Sequence, residues 1–122
     1  MTDSIVNKDK MNEELTLGGN IALVGFNILG AAELSIIKKM VGSYVKKMCN
    51  KGEYLEMRLT LQQHAHGKSF KHEVNGLAIF KEGKFHSNVV DWNLFSAISQ
   101  VCDKIMGELE HKKKREDEHK SR

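Results

Sequence analysis

Residues 84–115, KFHSNVVDWNLFSAISQVCDKIMGELEHKKKR, decide the fold, because the apolar period changes partway along them. Phe85 to Val90 is rich in β-branched and aromatic residues and reads as a strand. Asp91 or Asn93 then offers a side-chain oxygen to the free N–H groups of a new helix. Beyond it Leu94, Ile98, Val101, Cys102, Ile105 and Leu109 recur three or four apart, which lines one helical face with apolar side chains. Ser96, Ser99, Gln100, Asp103, Lys104 and Gly107 are left toward water. Such a helix must lie on something, and the upstream sequence supplies a sheet and a second helix.

Working back from Lys84, Lys81-Glu82-Gly83-Lys84 reads as a tight hairpin loop. Phe70 to Phe80 alternates through Phe70, His72 and Val74, then slips parity at Asn75-Gly76 before Leu77 and Ile79, which predicts a β-bulge. His64 to Ser69 is a polar connection. Tyr54 to Gln63 alternates, with Leu55, Met57, Leu59 and Leu61 expected on the core face. From Ala32 to Met48, Leu34, Ile37, Met40, Val41, Tyr44, Val45 and Met48 form a helical stripe that leaves a cationic outer face. Asn20 to Phe26 is a compact apolar run that fits a buried strand.

The expected fold is therefore α+β in the order βαβββα, a four-stranded mixed sheet with both helices packed on one face, as in double-stranded RNA-binding domains. Its expected boundaries are a flexible leader over residues 1–19, the domain over 20–111, and a charged, disordered tail over 112–122.

Composition narrows the function classes. At 122 residues, 40% hydrophobic and 29% charged, the chain is sized for one domain. The longest apolar stretch, Ile21 to Ala32, is too short to span a bilayer, and a cytoplasmic location is expected. Cys49 and Cys102 have no CxxC spacing and read as buried free thiols. The formal charge of +3 is unevenly spread: residues 111–122 hold six basic side chains against three acidic ones, while residues 1–19 hold two against four. A cationic end is compatible with nucleic acid and equally with a solubilising tail.

His64, His66, His72 and His86 lie on or near adjacent strands, so a metal-binding protein is one alternative, although no cysteine joins them and solvated histidines are the plainer reading. No activated nucleophile, carboxylate pair or phosphate-cradling glycine loop stands out, so neither enzyme activity nor a cofactor is expected. The remaining signal is basic. Lys38, Lys39, Lys46 and Lys47 on the first helix, and Lys104, Lys112, Lys113, Lys114 and Arg115 on the second, would form one phosphate-binding field if the helices lie side by side.

At His86 to Ile105, HSNVVDWNLFSAISQVCDKI, the chain resembles the ribosome hibernation promoting factor family, also called protein Y or the sigma modulation family. That family closes its domain with a histidine-bearing strand, an Asp-hydrophobic-aromatic run, Ala-Ile, and Asp-Lys-Leu before a basic tail. Here the matching residues are His86, Asn93-Leu94-Phe95, Ala97-Ile98 and Asp103-Lys104-Ile105, without a gap. The resemblance extends over about Asn20 to Arg115 and implies a short-form member: a monomeric, non-enzymatic factor that binds ribosomal RNA of the small subunit in the messenger and transfer RNA channel and blocks it sterically. It implies no membrane and no small-molecule substrate. Lys38, Lys47 and Lys104 match basic family positions, and Lys39, Lys46 and the 112–115 run are expected to add charge. Gly107 stands where the family commonly has arginine, Tyr44 where it has lysine, and Asn93 where it has aspartate. A double-stranded RNA reader is the other nucleic-acid alternative, but its last helix normally starts with a lysine cluster, and here that position reads Asn93-Leu94-Phe95-Ser96-Ala97.

Overall fold

The computed structural model describes residues 13–120, with side chains through residue 116. Its elements are β1 (Glu14–Leu17), β2 (Ile21–Val24), a single 3-10 turn (Phe26–Ile28), α1 (Ala31–Lys51), β3 (Tyr54–His66), β4 (Ser69–Phe80), β5 (Gly83–Asp91) and α2 (Leu94–Lys120). The strands form one sheet in sequence order, with β2 and β3 parallel and every other pair antiparallel. The parallel pair is the one joined through α1, since a parallel connection needs a crossover longer than any hairpin. The fold is thus α+β with a five-stranded mixed sheet, one strand more than expected.

The added strand lies inside the expected leader. Glu14–Leu17 pairs with β2 through Leu15↔Leu23 and Leu17↔Ile21, and those two leucines pack on the core while Glu14 and Thr16 face out. Four alternating residues are too few to show a period, and it is the pairing with β2 that fixes them. The rest of the leader, residues 1–12, lies outside the described residues. The expected disordered tail is corrected at the other end, because α2 runs on to Lys120. Bases at 112–115 precede acids at 116–118 by three or four residues, a spacing at which opposite charges meet on a helix, and Lys, Arg and Glu, which make up most of the run, are good helix formers. Residues 121–122 are outside the described residues.

The apolar stripes of both helices meet one sheet face. Ile37, Val41, Val45 and Met48 of α1 and Leu94, Ile98, Val101, Cys102, Ile105 and Leu109 of α2 are buried against Met57, Leu59, Leu61, Val74, Ala78, Phe80, Phe85 and Val89. Each large side chain of this set contributes about 1.5–3 kcal/mol relative to leaving it in water.

Three local expectations change. No bulge interrupts Asn75-Gly76, where β3 and β5 pair with β4 in continuous register. The inward residues of β4 are Val74, Gly76, Ala78 and Phe80, and the larger Leu77 and Ile79 face the other way. Gly76 is small because α2 crosses it: a Cβ there would collide with Val101 Cγ1 and sit 3.2 Å from Ile105 Cδ1. The register shift falls instead between Tyr54 and Glu56, and it turns Leu55 out of the core to 46% exposure. Finally, His64 to Ser69 is not a loose connection. β3 and β4 stay paired to His66↔Ser69, and Gly67 alone of the two turn residues has a positive φ, 63°, the type II′ pattern.

Candidate nucleic-acid interface

The helix layer is held by contacts that advance along both helices together, so α1 and α2 run in the same direction. Tyr44 and Ser99 share a hydrogen bond of 2.7 Å between their hydroxyls. Seven residues further along α1, Lys51 Nζ lies 3.0 Å from Glu110 Oε1, and Lys113 Nζ donates to the Lys51 carbonyl at 2.5 Å. Burial is the largest influence raising the Tyr44 phenol above its ordinary value, with nearby Asp103 adding to it and the Ser99 hydrogen bond opposing it.

Lys38, Lys39, Lys46 and Lys47 are all exposed on α1, and among the described residues none is in an ion pair. At about 100° per residue, Lys39 and Lys46 point opposite the buried stripe of Ile37, Val41, Val45 and Met48. Lys47 overhangs the seam with α2, its Nζ 5.2 Å from the centre of the Tyr44 ring. Lys38 lies on the flank away from α2. With Lys51, α1 carries five lysines against the single acid Glu33, a net +4 on one helix.

The second helix contributes less to this field than expected. Ser99 and Glu110 define its seam side, and Lys104, though exposed, sits roughly 140° around from Ser99. The fold therefore does not place Lys104 beside the α1 lysines, and the exposed face of α2 between them carries Asp103 as well as Lys114. Lys112 turns toward the sheet, donates to the Glu82 carbonyl and lies 6.0 Å from the Phe85 ring centre. Lys113 caps the last carbonyl of α1, where the negative end of the helix dipole favours a cation. Lys114 and Arg115 are exposed. Of the nine expected basic residues, the fold brings Lys39, Lys46 and Lys47 into one ridge, with Lys38 on its flank, and ties Lys112 and Lys113 to main-chain oxygen.

The start of α2 carries capping side chains and no basic cluster. Asn93 Oδ1 accepts the Ser96 N–H at 3.0 Å as the helix cap, and Asp91 Oδ1 accepts the Asn93 N–H at 2.8 Å. Gln100 Nε2 reaches Asp91 Oδ2 at 3.0 Å. Both residues thus act in the helix start. The Asn93 amide and then Gln100 hold the Asp91 carboxyl below its usual range.

On the sheet face away from the helices, Glu73 collects polar neighbours. His64 Nε2 lies 2.7 Å from Glu73 Oε1, and since a carboxylate only accepts, that nitrogen carries the proton. Asn88 Nδ2 donates to Glu73 Oε2 at 2.8 Å. The His64 and then the Asn88 hydrogen bond hold the Glu73 carboxyl below its usual range. His72 Nδ1 faces Gln63 Nε2 at 3.4 Å, and the His66 ring meets Trp92 edge-on. Among the described residues no three His, Cys, Asp or Glu side chains converge where a metal could sit. Cys102 is buried, and burial pushes its thiol up to about 12. Cys49, expected to be buried, is exposed because it sits one step past Met48, off the apolar stripe.

Sequence reasoning passed over Trp92, Phe70 and Lys71. Trp92 is 53% exposed and Phe70 52%, and Lys71 Nζ lies 5.1 Å from the Trp92 ring centre. The signal was available in β5, where Phe85, Ser87 and Val89 point in and the alternation places Val90 and Trp92 outside. Among the described residues no helix is long and apolar enough to cross a membrane. In comparisons of the sequence with protein-family models and with curated proteins, nothing matches.

Proposed function

We propose that this protein is a non-enzymatic RNA-binding factor that docks the α1 ridge on ribosomal RNA of the small ribosomal subunit and obstructs the messenger and transfer RNA channel as a rigid wedge. The observation that carries the reading is the outer face of α1, where Lys39, Lys46 and Lys47 stand in water with no ion-pair partner among the described residues. Phosphate contacts made by such lysines are sequence-independent and release counterions. The reading is further supported by element order: leaving β1 aside, the chain runs βαβββα with the first two of those strands parallel, the order that the resemblance at His86 to Ile105 implies. The obstruction needs no bond to form or break. It needs a body that keeps its shape, and the closed core beneath both helices supplies one.

A double-stranded RNA reader shares the three antiparallel strands and two helices. Its usual lysine cluster at the start of the last helix has no counterpart here, where Asn93 and Asp91 are engaged in capping. Charge reversal tests the proposal: Lys39→Glu/Lys46→Glu/Lys47→Glu is expected to abolish co-sedimentation with small subunits while the melting temperature is unchanged. Retained binding by a folded triple variant would remove α1 as the docking face.

A further inference from the structure

The β3–β4 hairpin reaches past the rest of the sheet. β2 pairs with β3 only as far as Thr60, and β5 meets β4 no further than His72↔Asp91, whereas β3 and β4 remain paired to His66↔Ser69. Residues 64–71, HAHGKSFK, are therefore a two-stranded arm without a third strand, and all of Gln62 to Phe70 is exposed. A bare hairpin adds little stability of its own. This one holds two lysines, two histidines and no acid.

At its foot stands Trp92, half in water on the sheet face away from the helices. The His66 ring meets it edge-on, with centroids 5.5 Å apart and planes at 73°, and Lys71 Nζ lies over it. The nearby carboxylates are already engaged, Glu73 by His64 and Asn88, and Asp91 by Asn93 and Gln100. What remains is a large exposed aromatic ring with the Lys71 ammonium over it, Lys68 further along the same arm, and both nearby carboxylates already hydrogen-bonded to other groups. That pairing of a flat apolar surface with positive charge fits a base and its phosphates. An acidic peptide would use only the charge, and duplex RNA keeps its base faces stacked inside.

We propose that the arm and Trp92 form a binding site for unpaired nucleotides of single-stranded RNA, with a base stacked on the exposed indole and neighbouring phosphates held by Lys71 and Lys68. The site lies on the opposite side of the sheet from the α1 ridge and does not depend on docking to a ribosome.

Trp92 is the chain's one tryptophan, so its fluorescence reports on this site alone. Titrating the full protein with an oligoadenylate of about ten nucleotides is expected to quench that emission saturably and less steeply as salt rises. Lys68→Gln/Lys71→Gln should weaken binding several-fold. Trp92→Leu, followed by anisotropy of labelled oligoadenylate, should weaken it roughly tenfold, while Lys39→Glu/Lys46→Glu/Lys47→Glu keeps the quenching. Because Trp92 is exposed, its variant should melt as the parent does. No quenching at low salt overturns the proposal, as does an equal response to duplex RNA or to oligoglutamate. Loss of quenching in the α1 variant, with Trp92→Leu binding as the parent, would also overturn it by moving the contact to the helices.

Discussion

Along α1, Lys39, Lys46 and Lys47 stand in water in no ion pair among the described residues, whereas near the end of α2 Lys112 and Lys113 turn inward to the carbonyls of Glu82 and Lys51. In the sequence the two clusters look alike, and the second is the denser. The fold gives them different tasks. The α1 lysines project from a helix whose only obligation is its apolar stripe, so their ammonium groups are open to a ligand. The α2 lysines lie where two parallel helices and a hairpin converge and leave unsatisfied carbonyls, and there a cation joins the elements. Charge density in a sequence is therefore a poor guide to field strength at a surface until each donor's nearest acceptor is known.

Substitutions can separate the two clusters. The largest effect is expected from Gly76→Val, which wedges α2 off the sheet at Val101 and Ile105 and should cost about 3 kcal/mol or more in chemical denaturation. It would loosen the α2 lysines from their carbonyls while leaving the α1 ridge on its own helix. Next, Lys39→Glu/Lys46→Glu/Lys47→Glu should lower affinity for ribosomal RNA on the order of a hundredfold and reduce the slope of log affinity against log salt by about 3, with no loss of stability. Lys112→Ala/Lys113→Ala should do the reverse, lowering stability by about 1–2 kcal/mol with binding changed little. A double variant that weakens RNA binding as much as the α1 triple would erase the distinction.

Smaller still is the start of α2. Asn93→Ala should cost about 1 kcal/mol through loss of the cap, measured by urea unfolding. The acid dependence has a definite sign. Glu73 and Asp91 are both held below their ordinary values of 4.5 and 3.8, so their contribution is complete above those values and is lost as pH falls through the lower, folded ones. Glu73→Gln/Asp91→Asn should flatten the fall in melting temperature below about pH 4.

How much of this was legible in the sequence depended on side-chain size. The stripes of α1 and α2 were readable because Ile37, Val41, Val45, Ile98, Val101 and Ile105 are large and each sits where its period requires. β4 was misread for the converse reason: its inward residues include Gly76 and Ala78, while Leu77 and Ile79 point out, so the apolar residues mark the wrong face. Close passage of α2 dictates that inversion, and only tertiary structure reveals it. Leu55 misled in the same way, because a register shift carries no compositional mark. β1 was missed since its four residues gain definition from pairing with β2. The candidate ridge on α1 was legible as charge outside an apolar stripe. The roles of Lys112, Lys113 and Lys104 were not, because they depend on which way α2 is turned and on what lies beneath its last turns.

Docking through α1 is checked by sedimenting the protein with purified small ribosomal subunits across a salt series, beside the Lys39→Glu/Lys46→Glu/Lys47→Glu variant. About one copy per subunit is expected, with dissociation that steepens with salt as counterions return to the phosphates, and with binding by the folded variant weaker on the order of a hundredfold. Equal co-sedimentation of parent and variant, or none by the parent at low salt, would contradict it.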